Sequence, residues 1–223
     1  MATLCHPFNY SAWTRLPQPE EQLILLERQN VPDCMEKVKL IFDKHNVTKL
    51  AGATLLHRHF DAGPEERLIE RIEGGRSITT PSVPSEKNII PHTWQLSLIN
   101  GKVVALPMEF IETNSSTFTE EDYAALLNGE FLTEYYNALA NMGLENVLGL
   151  TLHHRDALKG SEHAHLDEKS SIARRESVLT SSVESWEPGT IPTAWDFRKE
   201  NFITHTCGGR WTCRDCAGDS CNH

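Results

Sequence analysis

The sequence predicts an α+β domain with a mainly antiparallel sheet, and three features predict it. Two helical stretches open the chain ahead of any strand, an Asn100-Gly101 pair sits between two apolar runs, and one amphipathic helix near residue 135 separates early strands from late ones. The order helix, helix, four strands, helix, strands puts N-terminal helices and one central helix on a sheet of two or three hairpins, rather than alternating helices with parallel strands. At 223 residues the chain is long enough to bury roughly 70% of its unfolded surface in one core. Residues 1–204 read as a single domain and 205–223 as a Cys/His-rich tail, with no repeat at a fixed period.

In chain order, residues 1–17 read as an irregular arm pinned by Phe8, Tyr10 and Trp13. Pro17 and Pro19 open a helix through Leu26, with Glu20 and Glu21 in the first turn, where the helix dipole favours negative charge. A second helix starts after the break at Val31-Pro32, with Asp33 and Glu36 spaced as a capping box and Met35, Val38, Ile41 and Phe42 at helical spacing. Asn46 stops it. Leu50 to Phe60 reads as the best strand, Asp61-Ala62-Gly63-Pro64 as a turn, and Glu66 to Ile72 as the returning strand of a first hairpin.

Residues 74–88 have the Gly, Ser, Thr and Pro content of a surface loop. Ile89 to Ile99 and Lys102 to Ile111 form a second hairpin, because both central residues of a type I′ turn need positive φ and Asn-Gly supplies them. Thr119 with Asp122 marks a helix start. Phe131, Leu132, Tyr135, Leu139 and Met142 share one helical face, and Gly143 supplies a left-handed stop. Leu144 to Leu152 is a helix end or a strand, residues 155–171 a polar loop, and Ser177 to Trp186 with Thr193 to Phe202 a third hairpin.

The formal charge of -10 and pI near 5.5 argue against nucleic-acid or anionic-membrane partners, which need clustered Lys and Arg. No apolar run reaches about 18 residues, so no membrane helix is expected. The start lacks the basic and apolar regions of a secretory signal, so cytoplasmic residence is expected and the six cysteines read as thiols or metal ligands.

Two constellations carry candidate chemistry. On a strand, His57 and His59 share one face and can ligate one metal, zinc or another divalent ion. Glu66, Glu70, His92 and Glu109 are candidates for a third ligand; Glu70, on the returning strand between Leu68 and Ile72, is the one placed in the set, and the strand register decides which carboxylate sits opposite the pair. The competing reading is two imidazoles hydrogen-bonded on a half-exposed sheet face. The spacing Gly52-x4-His57-x-His59-x5-Glu65 loosely resembles the first motif of cupin barrels, but the spacing departs from it and no second motif follows. The tail presents His205, Cys207, Cys213, Cys216, Cys221 and His223. Its Cys-x2-Cys knuckle can close on a structural zinc, with disulfides or free thiols as alternatives. His153-His154 point opposite ways on a strand, and His163 and His165 read as solvated. No Gly-x-Ser-x-Gly elbow or phosphate-cradling loop occurs.

The segments LLHRHFD (55–61), PHTWQL (91–96), ALPMEF (105–110) and EYYNALANMGLENVLGL (134–150) resemble a family of uncharacterised ascomycete fungal proteins with no assigned activity. The resemblance covers residues 20–205, implies a fungal source and a single domain, and transfers no site residue. The functional expectation is therefore an intracellular binding or interaction protein, of a small molecule or protein partner, with a structural metal in the tail. The alternative is a metal-dependent enzyme acting on a small molecule through His57 and His59.

Overall fold

A computed structural model describes residues 7–84, 89–115, 118–158, 165–182 and 190–198, together with the backbone of 203–208. Three helices come first: α1 (Tyr10–Trp13), α2 (Pro19–Glu27) and α3 (Val31–Lys44). α3 begins earlier than a cap at Asp33 would place it, with Asn30 as N-cap and Pro32 in the first turn. It ends where Asn46 adopts a left-handed φ of 57°. α4 (Glu120–Leu126) opens on the Thr119/Asp122 capping box. α5 (Gly129–Met142) starts at the Asn128 cap and stops at Gly143, φ 69°, so these local signals decide both boundaries.

Ten strands close into a barrel: β1 (Ala51–Leu55), β2 (Arg67–Glu73), β3 (Arg76–Ser82), β4 (Ile89–Ile99), β5 (Lys102–Glu112), β6 (Leu148–Leu152), β7 (His165–Ser171), β8 (Glu176–Ser182), β9 (Thr190–Trp195) and β10 (Ile203–Gly208). Around the wall the order is β1-β6-β4-β5-β2-β3-β8-β7-β10-β9, returning to β1. The α+β class stands, but the sheet is mixed: β2 runs parallel to β5 and β7 parallel to β10, while the other pairs are antiparallel.

The β4–β5 hairpin turns at Asn100 and Gly101, with φ 52° and 75°, as the sequence predicts. The other two expected hairpins are replaced. β1 bonds to β6 and β9 rather than to β2, and β2 turns through Gly74 and Gly75, both at positive φ, into β3. The segment read as a surface loop is thus largely a strand. β8 pairs with β3 and β7, and β9 with β1 and β10, so they are not partners. The polar stretch 155–171 also yields a strand, β7. Among the described residues no helix is long and apolar enough to cross a membrane.

Two cores lie on opposite sides of the wall. Outside, Ala53, Leu55, Trp94, Leu96, Ala105, Leu148 and Leu150 pack under α3 and α5. There Phe42 meets Phe131, Tyr135 and Phe197 edge-on at centroid distances of 5.1, 5.2 and 5.0 Å. On the other face of β5, Val104, Leu106 and Met108 join Trp13 and Leu16 of the N-terminal arm with Leu56 and Phe60. The alternate wall positions Thr54, Thr79, Thr93, Thr151 and Ser177 face a small cavity in the lumen. The strands therefore turn their apolar side out to the helices and much of their polar side in.

Closing β1 between β6 and β9 needs a residue without a side chain. A Cβ at Gly52 would run into the Trp195 carbonyl oxygen, backbone that cannot move aside. Gly52→Ala should lower stability by about 1–3 kcal/mol in urea unfolding. An unchanged midpoint would show that β1 and β9 are not so closely joined.

Candidate metal centre

β1 stops at Leu55, and the next residues leave the wall instead of continuing the strand. The Leu56 N–H donates to Val147 O at 2.9 Å and the Arg58 N–H to Pro17 O at 3.0 Å. Gln22 of α2 clamps the same segment by donating from Nε2 to Leu56 O at 2.7 Å and Asn146 O at 2.8 Å. His57 and His59 are therefore held by a tied-down coil rather than by a strand face, and both still line the lumen cavity.

His57 Nδ1 donates to Leu55 O at 2.8 Å. In the neutral ring that bond fixes the tautomer and leaves the Nε2 lone pair directed at His59 Nε2, 3.0 Å away. Burial, and then the neighbouring His59, push the His57 imidazole down to about 4, so the His57 ring is uncharged at neutral pH. The carboxylate that completes the set is Glu168 of β7, whose Oε1 lies 3.2 Å from His59 Nε2. Burial would raise the Glu168 carboxyl, but His59, His57 and the Ser177 hydroxyl hold it far below the usual range. With metal–ligand bonds of about 2.0–2.1 Å, the donor–donor edges of octahedral and tetrahedral sites are about 2.9 and 3.3 Å. The separations of 3.0 and 3.2 Å have that size.

Glu70, placed in the set from sequence as the third ligand, belongs to a second cluster with His92 and His154. None of its side chain is exposed, and it is heavily engaged. Arg155 donates from Nε at 2.8 Å and from Nη2 at 2.7 Å to its two oxygens. Ser77 Oγ donates at 2.5 Å and His154 Nε2 lies at 2.8 Å. Burial works to raise Glu70, yet Arg155 and His154 hold it well below the ordinary carboxylate range. His92 is kept far below its usual value by burial and then by His154. Its Nε2 is buried without a hydrogen-bond partner, 3.2 Å from Glu70. This triad could hold a cation, but a guanidinium already neutralises its carboxylate and its residues do not line the cavity.

Of the remaining sequence candidates, Glu66 pairs with Arg175 near the surface. Glu109 lines the cavity and accepts from Thr93 Oγ1 at 3.3 Å. Burial raises its carboxyl to about 7, and Glu168 and Glu70 add to the shift against the pull of Arg155. His153 is placed beside Asp196, 3.5 Å away, apart from the cavity. Of the tail, Cys207 and His205 fall on β10, described only as backbone, and Cys213, Cys216, Cys221 and His223 lie outside the described residues, as does His163.

The cavity measures about 50 Å³. A water takes about 10–15 Å³ on that measure, so there is room for about three to five water-sized groups. No protein-family model matches the sequence, and no curated protein or solved structure matches it.

Sequence reasoning missed Glu168, Arg155 and His154 as site residues. The alternation Leu166, Glu168, Ser170 against Ser177, Leu179, Ser181 across β7 and β8 was the available signal, masked by the charge density around it.

Because the folded state favours protonated Glu109, its contribution to stability is complete below the ordinary value of 4.5 and is lost as pH rises through about 7. Unfolding free energies measured from pH 4.5 to 8 should fall for wild type by about 1–3 kcal/mol relative to Glu109→Gln. Parallel curves for the two proteins would contradict this.

Proposed function

We propose that this chain is a metal-dependent enzyme acting on a small molecule inside the barrel, with a divalent ion held by His57, His59 and Glu168. One observation carries the reading: three donor atoms, two imidazole nitrogens and a carboxylate oxygen, lie within 4.8 Å of one another on the wall of the lumen cavity, and two of their separations, 3.0 and 3.2 Å, have the size of ligand edges. Two histidines and one carboxylate are the donor set of open catalytic sites for zinc and for non-haem iron, which leave positions for water or substrate. A bound ion there would supply Lewis acidity and lower the pKa of a coordinated water.

The chain's own residues supply the rest. Glu109, with its carboxyl raised to about 7 by burial, can give or take a proton near neutral pH, which suits a general acid or base. Arg155, fixed by Glu70, sets a positive group on the same cavity wall. The cavity volume limits the reacting part of the substrate to a few non-hydrogen atoms. The reading of a binding protein with a structural metal in its tail rests on residues outside those described. The lumen, by contrast, concentrates titratable groups that a binding shell does not need.

Mass spectrometry of untagged protein tests this. Wild type should carry about one divalent ion per chain, and a chain ending at Gly208, which keeps β10 and removes Cys213, Cys216, Cys221 and His223, should carry the same. His57→Ala/His59→Ala should lose it, and Glu168→Gln should weaken retention by about 10-fold or more. Retention in the double histidine variant with loss on truncation would transfer the metal to the tail.

A further inference from the structure

The Arg155 guanidinium is only partly used by its carboxylate partner. Its Nε and Nη2 bind the two oxygens of Glu70. That pairing fixes the plane of the group, since both oxygens of one carboxylate take parallel N–H bonds. The third nitrogen, Nη1, makes no hydrogen bond among the described residues, and Arg155 lines the same cavity as His57, His59 and Glu168 with 12% of its side chain exposed. A largely buried guanidinium whose plane is fixed and whose Nη1 is unused, on a residue that lines a cavity, can serve as an oxyanion donor held in place in advance.

We propose that the lumen binds a small carboxylate, or a monoanionic oxyanion of similar size, between the cation at His57, His59 and Glu168 and the Nη1 of Arg155. This rests on the metal reading above. The charges support it. Glu70 and Arg155 cancel each other, and Glu168 offsets only half of a divalent cation, leaving one positive charge for a monoanion to balance. The remaining described carboxylate on the wall, Glu109, can take up or release a proton as the ligand binds. Size agrees as well, because room for about three to five water-sized groups admits formate or acetate and excludes long-chain acids from the reacting end. Thr93 and Thr151 hydroxyls on the wall offer further polar contacts.

Titration calorimetry of the metal-loaded full chain with acetate, and with acetamide as its neutral isostere, tests the assignment. Acetate should bind at least tenfold more tightly than acetamide. Two variants remove the donor differently: Arg155→Lys keeps the charge but not the fork, and Glu70→Gln/Arg155→Gln removes both charges together and strands neither. Each should weaken acetate tenfold or more while metal content stays near wild type; the unfolding midpoint should fall in Arg155→Lys, which loses the fork, and stay near wild type in the paired substitution. Equal binding of acetate and acetamide, or acetate affinity unchanged in both variants, overturns the proposal. Metal content of the same samples separates the failures: a metal-free wild type defeats the metal reading and this inference with it, whereas a metal-loaded wild type that ignores acetate defeats this inference alone.

Discussion

A carboxylate with no exposed surface, Glu70, sits inside a closed barrel, and Arg155 must be there to meet it. Taking a charge out of water costs several kcal/mol even after relaxation. The cost is tolerable only because both Glu70 oxygens are bonded by the guanidinium fork, with Ser77 and His154 adding to them. Replacing such a pair with apolar side chains of similar volume is often neutral or stabilising, so the pair need not add net stability. What it fixes is the orientation of Arg155 against the cavity, and against the upward push of burial the guanidinium in turn pulls the Glu70 and Glu109 carboxyls down.

The barrel reverses the usual assignment of strand faces. Leu148, Leu150, Trp94 and Leu96 point out to α3 and α5, whereas Thr151 and Thr93 on the alternate positions face the lumen and are nonetheless buried. Two buried faces of different polarity let the wall carry an apolar core on the helix side and a cavity lined partly by Thr, Ser, His and Glu side chains on the other. The same geometry explains the smallness of the chamber: Leu16, Leu56, Phe60 and Met108 pack into one side of it. The tied-down coil after β1 then delivers His57 and His59 to the space that remains.

Local signals in the sequence were strong enough to place what local physics decides. Asn100-Gly101, the Thr119/Asp122 box, Gly143 and the amphipathic face of α5 each specify their element through neighbours a few residues away. Pairing partners were not legible, because an alternating strand says which residues share a face but not which strand lies beside it. Hence the sequence pattern matches β1 to β2, whereas its bonds go to β6 and β9. The site divides on the same line. His57 and His59 were legible as a pair two residues apart, while Glu168 lies more than a hundred residues on and reaches them only through barrel closure. Polar composition between 155 and 171 reads as solvent exposure unless the inside of a barrel is polar, which no local pattern announces.

Whether a cation sits among these three donor atoms is decided by an anomalous difference map from crystals grown with zinc or manganese. One strong peak is expected within about 2.0–2.2 Å of His57 Nε2, His59 Nε2 and Glu168 Oε1, with Arg155 still paired to Glu70. A map with no peak there, or with its peak among Glu70, His92 and His154 and the Arg155 pairing broken, would contradict that assignment.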